Sequence, residues 1–265
     1  MRAPWTTGLA LAALALSFQP AAAADAAAAW AGLPDWSGVW GMVGNTVFDR
    51  ATVVPPNAGA GVTLGAREHP PYNAQWEARY VKNIAGVTDG TFPDPATFCG
   101  IPIGMPRMVN SPDGYEWVVT PKQVWMLTEN SMGVRRIYTD GRKHPADPGH
   151  TYTGHAIGHW EGDTLVVDTV GMRAESIVDR TGLQLSDQRH IVERIRKVDP
   201  TTLEDQITIE DPLALIAPWK VTKRFRLQPK GTYIFDYACA ENNRNPVDEN
   251  GRTITTDSAG KVIAN

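Results

Sequence analysis

One stretch decides the fold: Thr151-Tyr-Thr-Gly-His155-Ala-Ile-Gly-His159-Trp-Glu-Gly-Asp163-Thr-Leu-Val-Val-Asp168-Thr-Val170. Two runs with the composition of β-strands flank a short Glu-Gly-Asp break, which predicts a β-hairpin. We take Gly162-Asp163 as a two-residue loop in which the glycine adopts the positive φ of the first loop position. Glu161 then pairs with Thr164, and the register of the whole hairpin follows.

This register sorts the side chains onto two faces, because residues two apart along a strand point the same way. The predicted core face is apolar and carries Ala156, Trp160, Leu165 and Val167. The opposite face carries His155, His159 and Asp168, with Ile157, Val166 and Val170. Diagonal neighbours in a hairpin lie about 7–8 Å apart, within reach of His and Asp side chains. This face is therefore a candidate site.

A solvated hairpin face without chemistry is the competing interpretation of the same residues. The prediction also depends on the loop, since a change of one residue in loop length would move Asp168 to the face opposite the histidines.

The first 24 residues have the features of a secretory signal peptide. Arg2 precedes an apolar run over residues 9–18, and small residues precede Asp25. The apolar run is too short to span a membrane, and no cysteine at the cleavage point could carry a lipid anchor. We therefore expect a signal peptide at 1–24 and one domain at 25–265, periplasmic or secreted, with no membrane insertion after cleavage.

Export gives the two cysteines of the chain a predicted role. An oxidising compartment favours a disulfide between Cys99 and Cys239, and two free buried thiols are the alternative. The formal net charge of −4 gives no sign of a polyanionic partner, so we expect no nucleic-acid binding.

The rest of the chain predicts one helix followed by many short strands. Asn73 can cap a helix over residues 73–84, in which Trp76, Tyr80 and Ile84 form one stripe. Residues 92–112 are rich in proline and predict an extended crossing segment. Nine strands are predicted after Gly114, at Glu116–Thr120, Gln123–Thr128, Val134–Thr139, Gly154–Trp160, Thr164–Val170, His190–Val198, Leu203–Ile209, Trp219–Leu227 and Thr232–Cys239.

Many short strands with regular turn signals favour an all-β antiparallel meander that closes on itself and so removes its edges. The entry Gly38-Val39-Trp40 is similar to that of the lipocalin-like barrels, whose first strand opens with Gly-x-Trp. The predicted fold is therefore a lipocalin-like barrel with one short N-terminal helix and a long Pro/Gly-rich N-terminal crossing segment. Two packed sheets remain the alternative.

Several sequence blocks resemble a broad family of uncharacterised exported bacterial proteins. They are Cys99-Gly-Ile-Pro-Ile-Gly-Met-Pro-Arg107, residues 135–145, residues 154–171, residues 208–212 with Pro218-Trp219, and Cys239-Ala-Glu-Asn-Asn243. The resemblance covers residues 35–243 and implies export, but no particular activity. It implies arginine at the position of His159, so His159 should not be the general base. Positions that match are Asp140, Arg142, His144, His155, Asp168 and Glu241.

Other polar residues are candidates for substrate binding, each with a structural alternative. Arg135 and Arg136 point to opposite faces of one strand, so one of them should face the interior, where it needs a carboxylate partner from the protein or a ligand. Arg107 lies between structure-limiting prolines and glycines and could bind an anion, although a surface arginine is the simpler interpretation. The predicted substrate-binding residues are Arg107, Arg135, Arg142, His144, Glu241 and Asn242.

Neither a metal nor a cofactor is predicted. The chain has no HExxH sequence, and His155 and His159 on one strand face lie roughly 13 Å apart at the backbone, too far to share a metal. It also has no G-x-S-x-G elbow and no glycine-rich phosphate loop between a strand and a helix.

General acid–base chemistry remains. We expect a periplasmic, cofactor-independent enzyme of the lyase, hydratase or isomerase type that acts on a small oxygenated organic molecule. His155 would be the acid or base, oriented by Asp168, with Tyr138 polarising or protonating a substrate oxygen. The alternative is a non-catalytic, lipocalin-like small-molecule binding protein. An enzyme should hold His155 in a pocket with a perturbed titration, and a carrier should hold it on the outer face; the oligomeric state stays open.

Overall fold

The computed structural model describes residues 29–44, 48, 69–89, 91–92, 103–129, 133–174, 176–235, 255–256 and 262–264. Its central element is a closed barrel of nine strands, each bonded to its neighbours in chain order. The strands are β1 (Val39–Val43), β2 (Gly114–Val119), β3 (Gln123–Thr128), β4 (Gly133–Tyr138), β5 (His155–Glu161), β6 (Thr164–Val170), β7 (His190–Asp199), β8 (Thr202–Glu210) and β9 (Trp219–Leu227). The predicted all-β barrel is confirmed.

The barrel departs from a pure antiparallel meander at one pair of strands. β4 and β5 run parallel, with Tyr138 opposite Ile157, whereas the other neighbouring pairs of the ring are antiparallel. A closed ring with an odd number of strands cannot alternate direction throughout, so one parallel pair is geometrically required. Parallel neighbours need a long connection, and residues 139–154 provide it.

The first strand closes the ring. β1 pairs with β2 on one side and with β9 on the other, and Gln228 N–H donates to Val39 O at 2.8 Å beyond the end of β9. The strand predicted at Thr232–Cys239 is wrong over residues 232–235, which are not in a strand. A turn through Pro229 and Gly231 diverts the chain there, closed by Thr232 N–H donating to Pro229 O at 3.1 Å.

The β5–β6 hairpin has the predicted register. Glu161 pairs with Thr164, and further along the ladder Ile157 pairs with Asp168 and His155 with Val170. Gly162 has a φ of 64°, the left-handed conformation that the two-residue loop requires. Ala156, Leu165 and Val167 are buried inside the barrel, as predicted, so the histidine-bearing face is the outer wall.

Aromatic side chains fill much of the interior. The ring of Trp36 packs edge-to-face against Trp117 and Trp160, with centroid distances of 5.6 and 5.4 Å, and Tyr115 packs against Phe225 at 5.1 Å. Edge-to-face pairs add about 0.5–1.5 kcal/mol beyond the area they bury.

Helix α1 (Ala74–Asp89) is the predicted helix, extended beyond Ile84. Asn73 caps it, its Oδ1 accepting from Trp76 N–H at 3.1 Å. Tyr80 is buried and bonds to Thr181 Oγ1 at 2.9 Å, so the helix packs against the segment before β7. The described helices include none long and apolar enough to span a bilayer.

The remaining elements are short. A 3₁₀ turn covers Arg107–Val109, and β10 (Thr255–Thr256) pairs with β11 (Val262–Ala264). Residues 29–33 form a separate turn closed by Leu33 N–H donating to Trp30 O at 3.2 Å. The predicted signal peptide and both cysteines, Cys99 and Cys239, lie outside the described residues.

An ion pair lies within the barrel interior. Arg135 and Glu193 are 1% and 0% exposed. Arg135 Nη1 donates to Glu193 Oε1 at 2.8 Å, while Nη2 donates to Glu193 Oε2 and to Thr169 Oγ1, the latter at 2.9 Å. The predicted inward-facing arginine with a carboxylate partner is therefore present, and the partner is a residue of the barrel itself.

A second carboxyl group lies beside this pair. Burial raises the pKa of Asp205 well above its usual value, and the negative charge of Glu193 raises it further, against a smaller lowering by Arg135. The raised pKa favours the protonated, neutral form of Asp205 beside the Arg135–Glu193 pair. A neutral carboxyl group beside Glu193 avoids the repulsion between two buried carboxylates.

Replacing Arg135 with methionine should destabilise the protein by about 3–5 kcal/mol, because it leaves a buried carboxylate without its cation. Arg194→Met is the matched control, since Arg194 pairs with Glu161 on the exposed wall of the barrel. Urea unfolding followed by circular dichroism measures both. Equal stability of the two variants would show that the interior pair contributes no more than a surface pair.

Asp205→Asn should stabilise the protein, and the gain should grow with pH. The folded protein holds the Asp205 proton above the pKa of the unfolded chain, so the wild type loses up to about 1.4 kcal/mol per pH unit across the interval between the two pKa values. Asparagine has no proton to lose. Urea unfolding at pH 5 and pH 8 tests this against Asp147→Asn, an exposed position; a pH-independent difference would contradict it.

Candidate functional site

The candidate site lies on the outer wall of the barrel. Three neighbouring strands contribute one residue each: His155 from β5, Asp168 from β6 and His190 from β7. Asp168 stands opposite Val192, so His190 is its diagonal neighbour on the same face. The connection 139–154 adds His144, which reaches the same cluster.

Hydrogen bonds join these four side chains. Asp168 Oδ1 lies 2.8 Å from His190 Nε2 and 3.2 Å from His144 Nε2. His144 Nδ1 lies 2.8 Å from His155 Nδ1. We call the series Asp168, His144 and His155 the relay.

With His144 neutral, the hydrogen bonds of the relay assign which ring nitrogens carry protons. An ionised carboxylate only accepts, so His144 Nε2 must donate to Asp168. A neutral His144 then has a lone pair on Nδ1, which accepts from the Nδ1–H of His155. A neutral His155 with its proton on Nδ1 has a lone pair on Nε2, and no described residue bonds to that atom. His155 Nε2 is therefore the basic end of the relay.

The pKa values of His155 and His190 are shifted in opposite directions. Partial burial lowers the pKa of His155, and the nearby His144 and Arg142 lower it further, so the ring is neutral near pH 7. The hydrogen bond to Asp168 raises the pKa of His190, with a smaller contribution from Glu210 on β8. The His190 bond in turn lowers the pKa of Asp168 and keeps it ionised. The site thus contains a neutral base beside a carboxylate.

Tyr138 and Arg142 cover one side of His155. The rings of Tyr138 and His155 stack with centroids 5.6 Å apart, and the guanidinium of Arg142 lies 3.8 Å from the centroid of Tyr138. Asp140 holds Arg142 through Arg142 Nε at 2.9 Å and Nη2 at 2.6 Å. These bonds hold the pKa of Asp140 at about 2. The structure therefore brings together Tyr138, Arg142, His144, His155 and Asp168.

Other predicted site residues lie elsewhere. Arg135 is inside the barrel, bonded to Glu193. Arg107 lies in the 3₁₀ turn, where its charge acts on Asp179. His159 is exposed on the outer face and bonds to Glu161 at 3.2 Å, apart from the relay. Glu241 and Asn242 lie outside the described residues.

His155 does not occupy the position expected of an enzyme with an internal site. Its ring is on the outer wall, beside the 139–154 connection, and partial burial lowers its pKa. Sequence reasoning missed His190, whose place beside Asp168 depends on the pairing of β6 with β7. Within the described part of the chain, no group of three or more His, Cys, Asp and Glu side chains could hold a metal ion.

The fold and site define a closed nine-stranded barrel, compatible with a lipocalin-like fold, that carries a histidine relay on its outer wall. No family model and no curated protein matches the chain.

Replacing Asp168 with asparagine should lower the pKa of His190, because the amide lacks the negative charge that favours the imidazolium. The stability that this pair contributes is present below the ordinary histidine pKa and lost as pH rises through the raised pKa of His190. Titration of the histidine ring signals by NMR measures the change. The His159 signal is the internal control, since its neighbour is Glu161; an unaltered His190 curve would contradict the assignment.

Proposed function

We propose that the protein is an enzyme of the lyase, hydratase or isomerase type, in which His155 removes or returns a proton on a small oxygenated organic molecule. One observation carries the proposal: hydrogen bonds join His155 through His144 to Asp168, and no described residue bonds to His155 Nε2. A general base needs this combination of an available lone pair and a pKa near the working pH.

The relay would also stabilise the imidazolium that forms when His155 takes a proton. When Nε2 of His155 takes the proton, its Nδ1–H bond to His144 Nδ1 strengthens, because a cationic donor bonds more strongly than a neutral one. The His144 Nε2–H bond to Asp168 places a negative charge at the far end of the path. Asp168 remains ionised and stabilises the imidazolium without accepting its proton.

Tyr138 and Arg142 are the residues that we propose act on the substrate. Tyr138 stacks on the base, and its hydroxyl is a candidate donor to a substrate oxygen. Arg142 uses Nε and Nη2 to hold Asp140, and Nη1 takes no part in those bonds. A guanidinium N–H at this position could stabilise negative charge that develops on a carbonyl or hydroxyl oxygen.

The cellular setting is part of the proposal. The signal-like residues 1–24 and the resemblance of residues 154–171 to a family of exported bacterial proteins support a periplasmic or secreted protein with a small-molecule partner. The net charge of −4 favours no nucleic-acid role.

A non-catalytic small-molecule binding protein is the second candidate. The outward position of His155 favours it, because catalysis gains from a site that excludes water. The same experiment separates the two candidates, since a binder shifts the signals of its ligand without exchanging their protons.

Incubation in D₂O with a panel of 2-oxo acids, 2-hydroxy ketones and cyclic ketones should replace α-protons of at least one class by deuterium, as seen by proton NMR. His155→Gln should slow this exchange by about 10²–10⁴-fold, the contribution of a positioned general base. His159→Gln is the control, because His159 lies on the same face outside the relay. No exchange of any panel member, or equal exchange by the His155 variant, would refute the proposal.

A further inference from the structure

A shallow cleft of about 460 Å³ lies next to the relay. It is formed where the start of β7 and the end of β8 face the loop that leads into β9. Its lining residues are Gln188, His190, Glu210, Asp211, Pro212, Leu215, Ile216, Ala217 and Pro218. Of these, His190 also bonds to Asp168, so the cleft adjoins the relay without containing its base.

The loop of the cleft is fixed internally by a buried carboxylate. Asp211 accepts from Ser186 N–H at 2.6 Å and Ser186 Oγ at 2.7 Å, and also from Leu213 N–H and Ala214 N–H at 3.1 Å each. Four donors satisfy the carboxylate and hold the start of the loop in one conformation. The cleft is therefore present before any ligand arrives.

Contacts with residues 71–73 hold the far side of the same loop. Ile216 N–H donates to Pro71 O and Asn73 N–H donates to Ala214 O, each at 2.9 Å, and Tyr72 forms a β-bridge with Leu215. The segment before helix α1 therefore supports the wall of the cleft from behind.

This wall is apolar and open to solvent. Ile216 is 74% exposed, which is high for a large aliphatic side chain held in a fixed loop. Ala217 and Pro218, which are also exposed, continue the surface. A compact aliphatic or aromatic body laid on this wall would remove apolar area from water on both sides of the contact.

The opposite wall is acidic. His190 is bonded to Asp168 at 2.8 Å and to Glu210 Oε2 at 3.4 Å, so one imidazole ring lies between two carboxylates. Glu210 keeps Oε1 for another donor, and its side chain is 56% exposed. Asp211 adds a further negative charge beneath the cleft. An anion would be repelled here, and a cationic hydrogen-bond donor would be attracted.

We propose that this cleft binds a small amphipathic organic cation, with its ammonium group on Glu210 and its apolar body on Ile216 and Pro218. The acidic wall and the apolar wall are each needed for that ligand, and together they match it. The site is separate from proton transfer at His155, so the proposal does not depend on the catalytic one.

Three probes that share one skeleton test the charge preference: cyclohexylmethylammonium, cyclohexylmethanol and cyclohexanecarboxylate. NMR titration of the full-length protein, following Ile216 methyl and His190 ring signals, gives a Kd for each. The ammonium probe should bind about 3- to 5-fold more tightly than the alcohol, as expected for one partly exposed ion pair, and the carboxylate should bind most weakly. An equal or reversed order, or no shift with the ammonium probe, would overturn the proposal.

Two variants test which wall of the cleft is responsible for the preference for the ammonium probe. Glu210→Gln should bring the affinity for the ammonium probe down to that for the alcohol, and Ile216→Ser should weaken binding of both probes. Glu161→Gln is the matched control on the outer face and should keep the wild-type order. Both replacements in the cleft are at exposed positions, so the fold should tolerate them. An ammonium preference that survives in Glu210→Gln would refute the assigned contact.

Discussion

The two-residue turn at Gly162-Asp163 is the constraint on which the rest of the structure depends. Its left-handed glycine sets the pairing of β5 with β6, and a shift of one residue would move Asp168 to the face opposite His155. In the observed register, Leu165 and Val167 enter the core, while His155 and Asp168 remain on the outer wall. Core packing and candidate chemistry are thus two results of one backbone conformation.

Charged side chains have different surroundings inside the barrel and on its outer wall. Inside, Arg135 pairs with Glu193, and burial favours the protonated form of the neighbouring Asp205. On the outer wall, water can reach the side chains. Their surroundings lower the pKa of His155 and raise the pKa of His190. The buried Arg135–Glu193 pair stabilises one fixed arrangement, whereas the histidines of the outer wall can gain and lose a proton.

Local patterns predicted much of this structure. Alternation and turn chemistry gave the β5–β6 register, the Asn73 cap and an inward arginine with a carboxylate partner. The misses concern contacts between segments far apart in sequence: the pairing of β1 with β9, the parallel β4–β5 pair and the approach of His190 to Asp168. These contacts depend on how strands align around the whole ring, and no short stretch of sequence records that alignment.

The parallel pairing of β4 with β5 has a consequence for how the site is assembled. It requires the connection 139–154, and that connection supplies His144, the middle member of the relay. The outer members stand on barrel strands, but the middle one stands on a segment without regular structure. Such segments open at lower free-energy cost than barrel strands. The pKa of His155 therefore depends on whether His144 is in contact with it. The hydrogen bonds of the relay can break while every strand of the barrel stays paired.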